Sequence, residues 1–245
     1  MNNRLFLFDV DGTITNSGEK MSSENITSLN LIKIENDIGI VGGGKFEKIL
    51  QQTDGVNFDY YFSECGSVFH NSEHQIIYEK NIRNHFLYPQ INILIKLSLK
   101  YLSEVNYLIT GNFIDLRKGL IYISLIGLSA NSYERETFIN LDKIHNYRKN
   151  LLDLLHKKAS ELNILDKLHI VNGGSVGIAI YPEENDKIQI LNHIDFNKYS
   201  EVHYFGDKYL PDGNDYYLLN SDKIIGHNIN SVEETFNILN KFSKV

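Results

Sequence analysis

Residues 5–15 read LFLFDVDGTIT, and the order of those residues points to one architecture. Four apolar residues in a row, closed off by a glycine, are the pattern of a strand buried on both faces in a parallel sheet. Sheets of that kind place their chemistry at the carboxyl ends of their strands. Asp9 and Asp11 stand at such an end. Side chains two apart on a strand point the same way, so both carboxylates are expected to face one space. They repel each other unless a proton or a cation intervenes, and a hard divalent ion such as Mg2+ suits oxygen ligands.

DxDGT after an apolar strand resembles motif I of the haloacid dehalogenase superfamily. The resemblance implies a phosphoryl-transfer site and directs attention to later positions, each of which has its own chemistry.

The chain has 245 residues, enough for a sizeable core in one large domain or two small ones. Hydrophobic content of 42% and charged content of 22% are ordinary for a globular protein. A formal charge of −7 argues against a nucleic-acid or anionic-membrane surface, so a phosphorylated ligand needs a local basic pocket. The single cysteine, Cys65, excludes an internal disulfide and fits a reducing compartment. With no signal-like start and no apolar run near the ~20 residues of a membrane span, the expected location is cytoplasmic.

Working outward, Ser22 is placed to cap a helix carrying Ile26, Leu29 and Ile32. Residues 37–41 form a second short apolar strand, followed by Gly42-Gly43-Gly44 and a helix from about Lys45. A glycine run before a helix lets phosphate approach the backbone, which makes Gly43 and Gly44 candidate substrate contacts. Residues 60–69 and 75–78 suggest a strand and hairpin around Glu64-Cys65-Gly66. From about residue 83 the pattern changes to α+β: a helix over 91–101, strands at 108–109 and within 113–126, a long helix over 134–159 broken near Asp142, and two strands over 169–181. The expected fold is therefore α/β, a doubly wound parallel-sheet core (1–81 and 188–245) with an inserted α+β cap domain (82–187). In the returning segment a helix runs from Lys187 to Leu191, VHYFGD forms a strand, and a last short strand falls at 223–226. Ser231 and Glu234 have capping-box spacing before the terminal helix.

Phosphoryl transfer to a carboxylate requires a nucleophile, an acid/base, charge neutralisation and a metal. Asp9 is the candidate nucleophile and Asp11 the acid/base. Lys187 is placed to neutralise phosphate. Asp207 ends a second strand where it can meet the same metal as Asp9, and Asn214 and Asp215 follow in the loop 212–215. The candidate metal set is Asp9, Asp11, Asp207 and Asp215.

FDVDGT, IVGGGKFEKI, Arg117 with Arg135, PEENDK and HYFGDKYLPDGND occur in the order and spacing of the eukaryotic-type phosphomannomutases, and the chain resembles that family over nearly its whole length. The resemblance implies phosphorylation of Asp9, proton transfer by Asp11, Mg2+ at Asp207, and support of the site by Asn214 and Asp215. It also implies a phosphate moved between O6 and O1 of mannose through a bisphosphate intermediate, with a hexose bisphosphate as activator. A homodimer formed through the cap is implied as well, and Arg117 and Arg135 would clamp the substrate phosphate.

The departures concentrate at ligand positions. Gly18 stands where the family has an arginine, and Leu128 replaces the middle arginine of three in the cap. Gly177 and Ala179 replace a serine and an aspartate that hold sugar hydroxyls, and Ser221 and Ile224 occupy an ion-binding loop. A charge-assisted hydrogen bond is worth about 1.5–3 kcal/mol, so hexose recognition is expected to be thinned while the core chemistry is retained. Two alternatives follow: a Mg2+-dependent phosphatase with altered specificity, and a catalytically idle binding relative, against which the retained aspartates argue.

Overall fold

In the computed structural model, residues 3–211 and 213–242 are described, and Asp212 of the candidate loop lies outside them. The chain divides into two compact units, 1–80 with 185–245, and 81–184. The boundary expected at 187/188 therefore falls at 184/185, and Lys187 belongs to the first unit.

The first unit begins with β1 (Arg4–Phe8), α1 (Ser23–Lys33), β2 (Asp37–Val41), α2 (Phe46–Gln52), β3 (Tyr60–Ser63), β4 (Val68–Asn71) and β5 (Ile76–Glu79). Ser22 caps α1 by accepting the Asn25 N–H at 3.2 Å. The second unit contains α3 (Tyr88–Leu102), β6 (Ile114–Leu116), β7 (Ile121–Ser124), α4 (Ser132–His145), α5 (Tyr147–Glu161), β8 (Leu168–Gly173) and β9 (Gly177–Pro182). Residues 108–109 are not a strand. The long helix breaks at Asn146 rather than near Asp142. Asn146 takes a left-handed conformation (φ 56°), which asparagine tolerates better than most residues, while Asp142 binds Arg148 across the break at 2.6 Å.

The chain then returns to the first unit with a 3-10 segment (Lys187–His193), β10 (Glu201–Gly206), α6 (Tyr216–Leu219), β11 (Ile225–Asn228) and α7 (Val232–Leu239). Ser231 accepts the Glu234 N–H at 3.2 Å, but the Glu234 carboxylate turns to the Asn230 N–H, so only half of the capping box forms.

The seven-stranded sheet has the order β11-β10-β1-β2-β3-β4-β5, parallel from β11 to β3, with β4 and β5 antiparallel. Its interior strand β1 alternates between two cores. Phe6 and Phe8 pack with Leu29, Ile32, Ile49, Phe236 and Leu239 of α1, α2 and α7. Leu5 and Leu7 pack with Ile190, Leu191 and Leu218 on the other face. Each fully buried side chain of this size contributes about 1.5–3 kcal/mol relative to exposure, which explains why the strand is apolar without interruption. β1 and β10 run side by side in register, Phe8 opposite Phe205, and the Asp9 N–H donates to the Phe205 carbonyl at 2.9 Å.

The second unit has a four-stranded antiparallel sheet, β6-β7-β9-β8. Ile121, Ile123, Ile170, Ile178 and Ile180 point to one face and join a core with Leu94, Phe138, Leu151 and Leu155 of the helices. The alternate residues Leu120, Tyr122, Val171, Ala179 and Tyr181 form a smaller cluster on the other face. No helix among the described residues is long and apolar enough to cross a membrane.

Candidate active site

The parallel register brings the ends of β1 and β10 together, so Asp9 and Asp207 are neighbours. Gly12 makes the approach possible: its φ of +89° is costly for other residues, and a Cβ there would stand 2.6 Å from Asp207 Oδ2. Asp215, just before α6, completes a group in which one carboxylate oxygen from each of Asp9, Asp207 and Asp215 lies within 4.8 Å of the others.

Lys187 is fully buried and extends its ammonium to Asp9 Oδ1 and, at 2.6 Å, to Asp215 Oδ1. Asp215 also accepts the Tyr204 hydroxyl at 2.5 Å and the Lys208 backbone N–H at 3.0 Å. Burial opposes the charged form of Lys187, but Asp215 and Asp9 outweigh it and hold the pKa well above the usual lysine value. Burial pushes the Asp9 carboxyl up; Lys187 pulls it back, and Asp215 and Asp207 raise it again, leaving it at about 7. A proton or a second cation therefore stabilises this cluster.

The donor set fits a hard divalent cation. Three carboxylates converge here, and the cations beside them are Lys187 and the exposed Lys208, which pairs with Asp207. Asp207 Oδ1 is buried with no hydrogen-bond partner, an acceptor left open beside Asp9.

Asp11 is placed differently from the sequence expectation. The strand ends at Phe8, so its alternation does not carry to Asp11, whose carboxylate lies outside the three-carboxylate group. Its Oδ1 accepts the Gly18 N–H at 2.7 Å and the Gln52 amide at 2.8 Å, and Lys48 approaches Oδ2 at 3.3 Å. Burial works upward on Asp11, but these donors outweigh it and hold its pKa below the usual value. Asp11 is thus held in its ionised form, outside the group of three carboxylates.

Gly43 and Gly44 lie in the turn between β2 and α2, which is tied to the segment after β3: Gly42 and Gly44 carbonyls accept the N–H groups of Cys65 and Glu64 at 3.0 and 2.9 Å. A Cβ at Gly43 would lie 3.9 Å from the Asn214 amide nitrogen, so these two candidates are adjacent. Cys65 lies nearby and is buried; burial pushes its thiol up to about 12, which leaves it protonated and without a nucleophilic role.

In the second unit, half-buried Arg135 donates to the carbonyls of Ala130 at 3.0 Å and Leu128 at 3.3 Å and has no carboxylate partner among the described residues. Arg117 pairs with Asp115 at 2.8 Å and lies 5.0 Å from the Tyr122 ring centroid.

A family model described as eukaryotic phosphomannomutase matches residues 26–245. The chain belongs to the eukaryotic phosphomannomutase family. Phosphomannomutase of Oryza sativa subsp. indica is 32% identical over 235 residues, covering 94% of this chain and 92% of the relative. That of Arabidopsis thaliana is 32% identical over 233 residues with the same coverage. Among solved structures, a haloacid dehalogenase-like hydrolase from Bacteroides thetaiotaomicron aligns with TM-score 0.61 at 15% identity, over 98% of this chain and 100% of that one. The C-terminal domain of C. albicans trehalose-6-phosphate phosphatase aligns with TM-score 0.63 at 13% identity, over 99% and 92%. These two show the fold, a haloacid dehalogenase-like α/β core with an inserted α+β unit.

Four side chains that organise this phosphomannomutase-family site were not singled out from sequence: Tyr204, Lys208, Gln52 and Lys48. Tyr204 carried a signal, since a tyrosine in a fully buried strand needs a partner for its hydroxyl. Gln52 and Lys48 sit on α2, far in sequence from Asp11, and nothing local marks them.

Proposed function

We propose that the chain is a phosphomannomutase that transfers phosphate through Asp9, moving it between O6 and O1 of mannose. The observation that carries this reading is the buried Asp9 carboxylate, clasped by Lys187 beside Asp207 and Asp215 at the joined ends of β1 and β10. The names of the curated relatives supply the sugar.

In this reading Asp9 attacks the phosphorus of a hexose bisphosphate and becomes an aspartyl phosphate. Asp11 gives its proton to the sugar oxygen that leaves in that step and then, as a carboxylate among Gly18, Gln52 and Lys48, takes the proton of the sugar hydroxyl that attacks the aspartyl phosphate next. Lys187 balances the charge on Asp9 throughout. Mg2+ held by Asp9, Asp207 and Asp215 would supply neutralisation of the phosphoryl oxygens. The turn at Gly43 and Gly44 offers room for a phosphate close to the backbone, and Asn214 borders it. Arg117 and Arg135 bind the non-transferring phosphate. Arg135 supports this role because it is held by neutral carbonyls and has no carboxylate partner among the described residues. A homodimer through the 81–184 unit and a cytoplasmic location complete the proposal, with light scattering and cell fractionation as their tests.

The deciding experiment supplies mannose 6-phosphate, Mg2+ and a hexose bisphosphate and follows mannose 1-phosphate. Formation that depends on the bisphosphate supports the proposal; its absence at any substrate concentration sinks it.

A second reading, a phosphatase of the same core chemistry, is favoured by Leu128, Gly177 and Ala179 at positions where ligands for the turning intermediate were expected. Release of inorganic phosphate faster than any isomerisation would select it.

A further inference from the structure

Two stretches that border the Asp9 cluster are joined by a turn that the chemistry above does not use. Between β3 and β4, Glu64, Cys65 and Gly66 take left-handed conformations in succession, with φ of 50°, 56° and 86°. For glutamate and cysteine this region is unfavourable, because Cβ crowds the following carbonyl oxygen. Both side chains are buried. Strain of this kind persists only where the surroundings over-determine it, and it collects at functional sites.

The turn is held on two sides. On one side, the N–H groups of Glu64 and Cys65 reach the Gly44 and Gly42 carbonyls, and a Cβ at Gly43 would stand 3.7 Å from Cys65 Sγ. On the other, Gln189 donates its amide to the Cys65 carbonyl at 2.8 Å, with the Ser67 hydroxyl at 3.4 Å. A Cβ at Gly66 would lie 2.6 Å from Ile190 Cγ2 and 3.1 Å from Gln189 Cγ, so the close approach of the two segments needs glycine there. Gln189 stands two residues beyond Lys187 in the same 3-10 segment, whose own hydrogen bonds are poorer than those of an α-helix.

Packing alone does not account for Gln189. The side chain is buried, and its Oε1 has no hydrogen-bond partner among the described residues. Methionine has nearly the same length and would leave no unpaired oxygen in the interior. The N–H donated to the turn is what the amide adds.

We propose that Gln189 is a positioning residue for Lys187: bound to the left-handed turn, it fixes the segment that carries the ammonium relative to the Gly43–Gly44 turn. The inference rests on the phosphoryl-transfer reading of Asp9 above. Its consequence falls on the transfer step, since a group misplaced by about 1 Å can cost about 10^2-fold in rate.

The experiment compares Gln189→Met with Ile190→Val, which thins the core packing of the same segment and keeps the Cγ2 that faces Gly66. Two turnovers are followed, isomerisation of mannose 6-phosphate and phosphate release from p-nitrophenyl phosphate, because Asp9 serves both. Lysine 15N–1H NMR of the Lys187 ammonium adds a readout that needs no substrate. Gln189→Met should lower kcat about 10- to 100-fold in both reactions with KM within about threefold of wild type, and should shift or broaden the ammonium signal. Gln189→Asn, a methylene too short to reach the Cys65 carbonyl, should behave alike. Ile190→Val should lower the urea midpoint while leaving kcat within about twofold and the signal in place. The inference is overturned by an ammonium signal that stays in place in Gln189→Met, by kcat retained in any reaction the wild type performs, or by an equal loss of kcat in Ile190→Val. A wild type that releases phosphate without isomerising mannose 6-phosphate, with the release dependent on Gln189, overturns the mutase reading and upholds the positioning role.

Discussion

At the carboxyl end of β1, the groups around Asp9 form a closed set: Lys187 binds Asp9 and Asp215, Tyr204 and Lys208 bind Asp215, and Gly12 leaves room for Asp207. On the outer face of the β7–β9–β8 sheet, small residues and one tyrosine ring occupy positions where polar ligands were expected. The difference is one of interdependence. Removing one member of a buried charge network leaves another charge unpaired, so the members persist together. A ring resting on glycines constrains only its immediate neighbours, so that face can change its ligand without disturbing the chemistry.

The largest effect that would sharpen this contrast is on turnover. Asp9→Asn should lower kcat by at least about 10^3 whatever phosphorylated sugar is offered, because the group that bears the phosphate is gone. A variant retaining more than a tenth of the activity would break the assignment of Asp9.

Lys187→Met tests whether the core network is as interdependent as its geometry implies. The substitution leaves Asp9 and Asp215 buried beside Asp207 with no ammonium between them, and unfolding stability should fall by about 3–5 kcal/mol in urea titrations. Mg2+ should recover part of the loss, since it meets the same carboxylates. A change below about 1 kcal/mol would mean that the network relaxes, and the contrast with the cap would disappear.

Arg135→Ala is the corresponding cut in the cap. It removes a cation with no carboxylate partner among the described residues, so stability should change little. KM should rise by roughly 10- to 100-fold, the equivalent of about 1.5–3 kcal/mol for a charge-assisted contact. Equal losses of stability would show that the guanidinium serves the fold instead.

How much of this was legible in the sequence follows the same division. The apolar run 5–8, the glycine after it and the terminal helix cap are local signals, and the core sheet followed from them. Lys187 was recognised as a candidate, yet its burial and its two carboxylate partners come from contacts across 178 and 28 positions of sequence, which no local pattern encodes. Asp11 was misplaced because strand alternation was extended past Phe8, where the strand stops. Gly177 was read as an absence. Its physical causes, the Tyr122 ring and the Ile123 carbonyl, lie on another strand and become visible only when the register is known.

The smallest effect concerns pH and asks whether acid sensitivity originates in the core sheet. His203 Nδ1 and His227 Nε2 share a hydrogen bond of 2.9 Å between β10 and β11; His227 stacks on Phe205 and His203 on Phe6, with Glu201 and Arg4 at the margin. Burial lowers both pKa values, and His203 lowers that of His227 further, to about 4. A histidine whose folded pKa is depressed stays neutral in the native state while the unfolded chain takes up a proton near its usual value of 6.5. Its stabilising contribution is therefore complete above pH 6.5 and is lost as pH falls toward 4. For a partly exposed pair the loss should be about 1–2 kcal/mol after solvent screening. Asp9 acts in the opposite sense in metal-free protein, since a carboxyl raised to about 7 favours the folded state as pH drops below that value. Only the difference between wild type and His227→Gln isolates the histidine pair. Urea midpoints at pH 7.5 and 4.5 should converge in the variant relative to wild type, and an unchanged difference would assign the acid sensitivity to groups other than this pair.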